Sequence, residues 1–171
     1  MRKLIYTVIV FFVSKTAYPQ DDIFSIAMKG SVEEVIRTIK ENADVVNQTT
    51  KQGITPLILA CQKGNNEVAG YLLNIVEDLN TSSEIGTALT VCATRGNNSI
   101  AKLLLEKKAD PNIKDADGNT ALICAVQFKN IELVELLLSY DADKKLKDNL
   151  GKTAFEYAAF SNENTLVDLL K

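Results

Sequence analysis

A short signature recurs along the chain and restricts its fold more than any bulk property does. Thr55-Pro56-Leu57, Thr87-Ala88-Leu89, Thr120-Ala121-Leu122 and Thr153-Ala154-Phe155 begin 32, 33 and 33 residues apart. Nine residues after each threonine stand Gly64, Gly96, Lys129 and Asn162, and seventeen after it stand Leu72, Leu104, Leu137 and Leu170. A fainter copy precedes them, with Gly30 at the glycine position and Asp21 where the threonine would stand. A period of this size marks a solenoid, in which no unit can bury its apolar surface alone and each does so against its neighbours.

Each unit reads as two helices. The threonine hydroxyl caps the first, and Pro56 occupies a first turn, where a missing N–H costs nothing. Small residues follow in this inner helix (Ala60 and Cys61, Cys92 and Ala93, Ala125 and Val126, Ala158 and Ala159), so adjacent pairs can approach closely. The glycine or asparagine between the helices permits a positive φ. The outer helix has apolar residues at i, i+3 and i+4: Ile100, Leu103 and Leu104; Leu133, Leu136 and Leu137; Leu166, Leu169 and Leu170. Stacking predicts one ladder of Leu57, Leu89, Leu122 and Phe155 and another of Ala69, Ala101, Val134 and Val167. Polar connectors join the units, with Gly53, Gly118 and Gly151 at tight turns. The connector before Thr87 is one residue short, which predicts an irregular turn there.

The strings GITPLILACQKGNNEVAGYLL (53–73), GTALTVCATRGNNSIAKLLLEKKADPN (86–112), GNTALICAVQFKNIELVELLLSYDAD (118–143) and GKTAFEYAAFSNENTLVDLL (151–170) resemble ankyrin repeats. The likeness extends from Asp22 to Lys171. It implies an all-α solenoid of stacked helix-turn-helix units with outward-pointing β-hairpin connectors. About five units are expected, at 21–47, 48–80, 81–112, 113–145 and 146–171. Asn42, Lys108 and Asp141 depart from the glycine usual in the family, and Glu34 and Thr38 replace apolar residues in the first unit. Atypical end units suit a solenoid whose terminal faces meet water.

The resemblance also implies binding through the concave face of hairpin tips and inner-helix ends. The position eight after the signature threonine gives Lys29, Lys63, Arg95, Phe128 and Ser161, and the one before it gives Met28, Gln62, Thr94, Gln127 and Phe160. The candidate partner-binding residues are therefore Lys29, Gln62, Lys63, Thr94, Arg95, Gln127, Phe128 and Phe160. Such a groove is basic over three units and aromatic over two, which calls for a partner with acidic and apolar elements.

The N-terminus reads as a targeting segment rather than as fold. Met1-Arg2-Lys3 is followed by ten apolar or weakly polar residues, Leu4 to Val13, and then by a short polar stretch ending in Pro19-Gln20. That layout is a secretory signal covering 1–20, with cleavage between Thr16 and Gln20. Ten residues rising 1.5 Å each fall short of a hydrocarbon core about 30 Å thick. With the three basic residues of this leader set aside, 16 basic side chains face 22 acidic ones, a net charge of −6. Acidic balance disfavours nucleic acid, whose phosphates need concentrated positive charge. The expected product is a soluble monomer, exported to the periplasm or secreted, with no membrane insertion after cleavage. A bacterial envelope fits best, with a eukaryotic secretory route as the alternative.

Catalytic constellations are absent from the pattern. The chain has no histidine, which removes Ser-His-Asp and Cys-His arrangements and most zinc sites. Cys61, Cys92 and Cys124 are 31 and 32 apart, in register with the repeat, and read as buried free thiols rather than a disulfide or C-x-x-C pair. Asp110, Asp115 and Asp117 lack the closing glutamate of a calcium loop. The glycines are isolated repeat residues rather than a phosphate cradle. Asn47-Gln48-Thr49, Asn80-Thr81-Ser82 and Asn97-Asn98-Ser99 are glycosylation sequons only in a host that uses them. No enzyme, metal or cofactor is expected. The functional expectation is a protein–protein interaction module of the envelope holding one partner, with an immunity or inhibitor protein against a periplasmic toxin or enzyme as the specific alternative. A small-ligand or catalytic protein is the competing class; it would need a closed pocket, which stacked repeats rarely supply.

Overall fold

Helices pair in sequence through residues 22–171, the part that the computed structural model describes. The expected leader at 1–20 and Asp21 lie outside the described residues. The pairs are α1 (Ile23–Lys29) with α2 (Val32–Glu41), α3 (Pro56–Lys63) with α4 (Asn66–Leu72), and α5 (Ala88–Arg95) with α6 (Asn98–Glu106). They continue with α7 (Ala121–Gln127) and α8 (Ile131–Ser139), then α9 (Ala154–Phe160) and α10 (Asn164–Leu170). A 3₁₀ turn at Ala43–Asn47 follows α2.

Side-chain caps mark where nine of the ten described helices begin, α10 being the one without. The hydroxyls of Thr55, Thr87, Thr120 and Thr153 accept the amides of Ile58, Thr90, Ile123 and Glu156 at 3.1–3.3 Å. Asn65, Asn97 and Asn130 cap the outer helices by accepting from Val68, Ile100 and Leu133. The first unit differs from expectation, since its cap is Asp22, which accepts from Ser25 at 2.8 Å. Glu34 also has a local reason to replace an apolar residue. It closes a capping box with Ser31, and Val35 beside it carries the burial instead.

Turns between helices need left-handed backbone. Gly64 and Gly96 adopt φ of 74° and 70°, whereas Lys129 and Asn162 adopt it without glycine's freedom, at 56° and 57°. Lys108 and Asp141, the expected glycine replacements after α6 and α8, are also left-handed, at 66° and 59°. Asn42 is not: its φ of −153° is extended, because the chain passes into the 3₁₀ turn, whose start Asn42 caps through Asp44.

Inner helices stack in the order α1, α3, α5, α7, α9, and outer helices in the order α2, α4, α6, α8, α10. Leu57, Leu89 and Leu122 are buried in the first ladder, but Phe155 is 37% exposed because no further described unit covers it. Ala69, Ala101 and Val134 are buried, and Val167 at the same end is half-buried. The apolar face of α6 is rotated from the expected one: Ile100, Ala101, Leu104 and Leu105 are buried while Leu103 is 41% exposed. All three cysteines are buried free thiols. A hydrogen bond with the Cys61 thiol, then burial, push Cys92 well up, and burial with the charges of Asp115 and Asp117 pushes Cys124 up to about 12. Thiols held protonated in this way are poor nucleophiles.

The expected β-hairpin connectors are reduced to tight turns. The described residues contain no strand, only isolated bridges at Ser83–Gly86 and Lys147–Thr153. Three turns share one geometry, with Thr50 bonding Ile54, Asp115 bonding Asn119 and Asp148 bonding Lys152, each N–H to carbonyl at 3.0 Å. In each, the glycine amide also returns to the first carbonyl of the turn, at 2.9–3.0 Å, and pairing extends no further than an isolated bridge. The short connector before Thr87 closes one residue sooner, from Ser83 to Gly86. Asparagines then tie unit to unit: Asn47, Asn80 and Asn112 accept the amides of Glu77, Asp110 and Asp143, 30 or 31 residues ahead, at 2.8–3.2 Å. No described helix is long and apolar enough to cross a membrane.

Candidate functional site

Because each inner helix starts at an equivalent cap and runs for seven or eight residues, their C-terminal ends come to one side of the stack. Lys29, Lys63, Arg95, Gln127 and Phe160 are each the last residue of α1, α3, α5, α7 and α9. Phe128 caps α7. The predicted residues fall at two adjacent positions of successive units: Lys63, Arg95 and Phe128 eight after the capping threonine, Gln62, Thr94, Gln127 and Phe160 seven after it, and Lys29 seven after the Asp22 cap.

Lys29, Lys63 and Arg95 are exposed, and none forms an ion pair among the described residues, where the pairs are Lys102–Glu106 and Lys171–Asp168. A cation in the last turn of a helix also interacts favourably with the helix dipole, a structural role that leaves its ammonium or guanidinium open to solvent. Gln62 and Thr94 are half-buried, and the Thr94 hydroxyl is turned to the Val91 carbonyl at 2.8 Å. Thr94 can contribute shape to this face more readily than a hydrogen-bond donor.

The aromatic half is more elaborate than the sequence indicated. Phe128 is 60% exposed and Phe160 75%. Lys152 lies with its Nζ 5.2 Å from the centre of the Phe160 ring and 5.3 Å from that of Tyr157, within cation–π range. The Tyr157 hydroxyl donates to Asp148, whose carboxylate also accepts the amides of Leu150 and Lys152 at 2.9 Å. Burial works against the charge on Asp148, but the hydrogen bonds from Tyr157, Lys152 and Leu150 outweigh it and hold the carboxyl below its usual range. The same bond to Asp148, with burial, raises Tyr157. Gln127 donates to Asn119 at 3.4 Å, and Lys129 reaches across to the Ser161 carbonyl at 3.1 Å.

Lys152 and Tyr157 were not among the predicted residues. The four units have Ile54, Gly86, Asn119 and Lys152 at one position, with no shared character, and Leu59, Val91, Cys124 and Tyr157 at the other, which reads only as apolar. The only signal was local: an aspartate nine residues before a tyrosine, with a turn between them.

No group of three or more His, Cys, Asp or Glu among the described residues could hold a metal ion. An open recess of about 440 Å³ lies elsewhere, between the outer helices α6 and α8, lined by Asn98, Lys102, Glu132 and Glu135 among others.

A family model described as ankyrin repeats, in three copies, matches residues 23–115 and 89–171. The chain belongs to the ankyrin-repeat family. Ankyrin-repeat proteins are in general non-catalytic modules of protein–protein interaction, and the fold described above is theirs: an all-α repeat solenoid. Lys29, Lys63, Arg95, Phe128 and Phe160 thus lie on the inner-helix ends of an ankyrin solenoid.

Proposed function

We propose that this ankyrin-repeat chain binds one protein partner through the inner-helix ends, with Lys29, Lys63 and Arg95 meeting acidic groups and Phe128 and Phe160 meeting apolar ones. The observation that carries the reading is the row itself. Three exposed cations, without ion pairs among the described residues, stand in successive units of an acidic chain, and two exposed phenylalanines continue the row. Isolated exposed apolar residues are ordinary; two large ones at neighbouring positions of successive units, eight residues after Thr120 and seven after Thr153, suggest a contact surface. Opposite charge steers encounter and fixes orientation, while buried aromatic contacts supply much of the affinity.

The setting we propose is the bacterial envelope or the secreted fraction, on the strength of the basic and apolar leader at 1–20. A small exported binder of this kind would serve as an inhibitor or immunity protein against an exported enzyme or toxin, a role that a neighbouring gene for such a protein would support. The test of the face is comparative capture from envelope extract, with the wild-type chain beside a Lys63→Glu, Arg95→Glu double variant. We expect one enriched protein whose yield falls at least about tenfold with the variant, about 1.4 kcal/mol, while helical circular dichroism is unchanged. Equal yield from a folded variant would remove the basic row from the binding surface.

A further inference from the structure

The spacing of the row says what conformation its occupant takes. We infer that the face described above accepts an extended, polyproline-II-like segment with acidic residues at every third position, followed in the same register by apolar residues. The inference rests on the proposed binding face and deepens it.

Packed helices lie about 8–10 Å apart, so successive inner helices present one side chain of the row at about that interval. A polyproline-II segment has three residues per turn and rises about 3.1 Å per residue, which returns a side chain to the same side every 9 Å or so. Its register therefore keeps step with the units. A β-strand repeats its face every two residues, at about 6.6–6.8 Å, and falls out of step within two units. An α-helix returns close to the same face after seven residues, at about 10.5 Å, so spacing alone does not reject it. What argues against a helix is the chemistry of the face. Helix-in-groove docking uses an apolar stripe along its whole length, whereas here the row is cationic at Lys29, Lys63 and Arg95 and aromatic only from Phe128 to Phe160.

The aromatic end has a second property in favour of the extended form. Proline-rich extended segments dock on exposed aromatic rings, exploiting a conformation that costs little further entropy to hold. Phe160 offers such a ring, with the Lys152 ammonium 5.2 Å from its centre. Charge complementarity selects the other end: three cations without ion pairs among the described residues, in units α1/α2 to α5/α6, match three acids spaced three apart. The occupant is thus a protein segment, acidic and then apolar, rather than a folded surface or a nucleic acid.

The experiment titrates the full-length gene product with fluorescent synthetic peptides of equal net charge and equal glutamate and leucine content at low salt. One peptide places three glutamates and then two leucines at every third position, with proline among the spacers. A second places the glutamates at alternate positions, and a third, built on alanine spacers, places them seven apart on a helix. We expect the first to bind at least about tenfold more tightly than either of the others. Its advantage should disappear in Lys63→Gln, Arg95→Gln, and Phe128→Ala with Phe160→Ala should weaken it while leaving the salt dependence intact. Equal affinity for the three peptides, lost on the charge substitutions, overturns the register and leaves the basic face standing. Preference for the helical peptide overturns the extended conformation. Binding of none of them overturns the register and the acidic-partner reading together.

Discussion

At the scale of single residues, the chain departs from ideal repeat chemistry at places where the cost can be stated. Lys108 has φ of 66°, where an L side chain is disfavoured by roughly 1–2 kcal/mol and glycine is not. Glycine's greater loss of entropy on folding offsets only part of that strain, so Lys108→Gly should still stabilise the protein by about 0.5–1 kcal/mol, read as a higher urea midpoint at unchanged slope. The Asp148–Tyr157 contact makes a pH-dependent contribution of definite sign. The folded aspartate titrates below its unfolded value, so its stabilisation is present above about pH 4 and is lost as pH falls through the lowered value. The folded tyrosine titrates above its unfolded value, so its share is present below about pH 10 and disappears as pH rises through the raised one. In Asp148→Asn the loss of urea stability on acidification should be shallower than in the wild type.

At the scale of elements, what matters is how one turn meets the next. Gly118 and Gly151 occupy corresponding turns with φ of 81° and 75°, so backbone conformation alone penalises alanine similarly at both. Their surroundings differ. A Cβ on Gly118 would lie 2.6 Å from Asn149 Oδ1 and 2.7 Å from its amide nitrogen, whereas one on Gly151 meets nothing within 4 Å. That approach is also where the Asn149 amide donates to the Asp117 carbonyl at 3.0 Å. Gly151→Ala should cost about 1–2 kcal/mol and Gly118→Ala at least about 1 kcal/mol more, measured by denaturant titration of both variants. Equal costs would show that the turns do not support one another. The starts of the inner helices were legible in the threonine caps, because a cap is a local hydrogen bond; the asparagine caps of the outer helices emerged only from the structure. The reduction of hairpins to turns was not legible, because it depends on how many cross-turn bonds the folded geometry allows.

At the scale of the whole molecule, stability in a solenoid is the sum of unit terms and nearest-neighbour interfaces. The described end pairs, α1/α2 and α9/α10, each have one described neighbour, while α5/α6 has two. Amide hydrogen exchange should therefore be fastest in the end pairs and slowest in α5, with the buried Val91, Cys92 and Ala93 among the most protected. Uniform protection would point to one cooperative unit instead. The repeat by itself determined the helix pairs, their order, the threonine caps and which end of each inner helix is shared, because all of these follow from local chemistry repeated at a fixed period. Tertiary structure alone decided the rest. It rotated α6 so that Leu105 rather than Leu103 is buried, left Phe155 half-open at the end of its ladder, moved the first cap to Asp22, brought Lys152 over the rings of Tyr157 and Phe160, and bonded Tyr157 to Asp148. These outcomes depend on which surfaces a neighbouring unit covers and which side chains meet across a turn, and a periodic pattern contains neither.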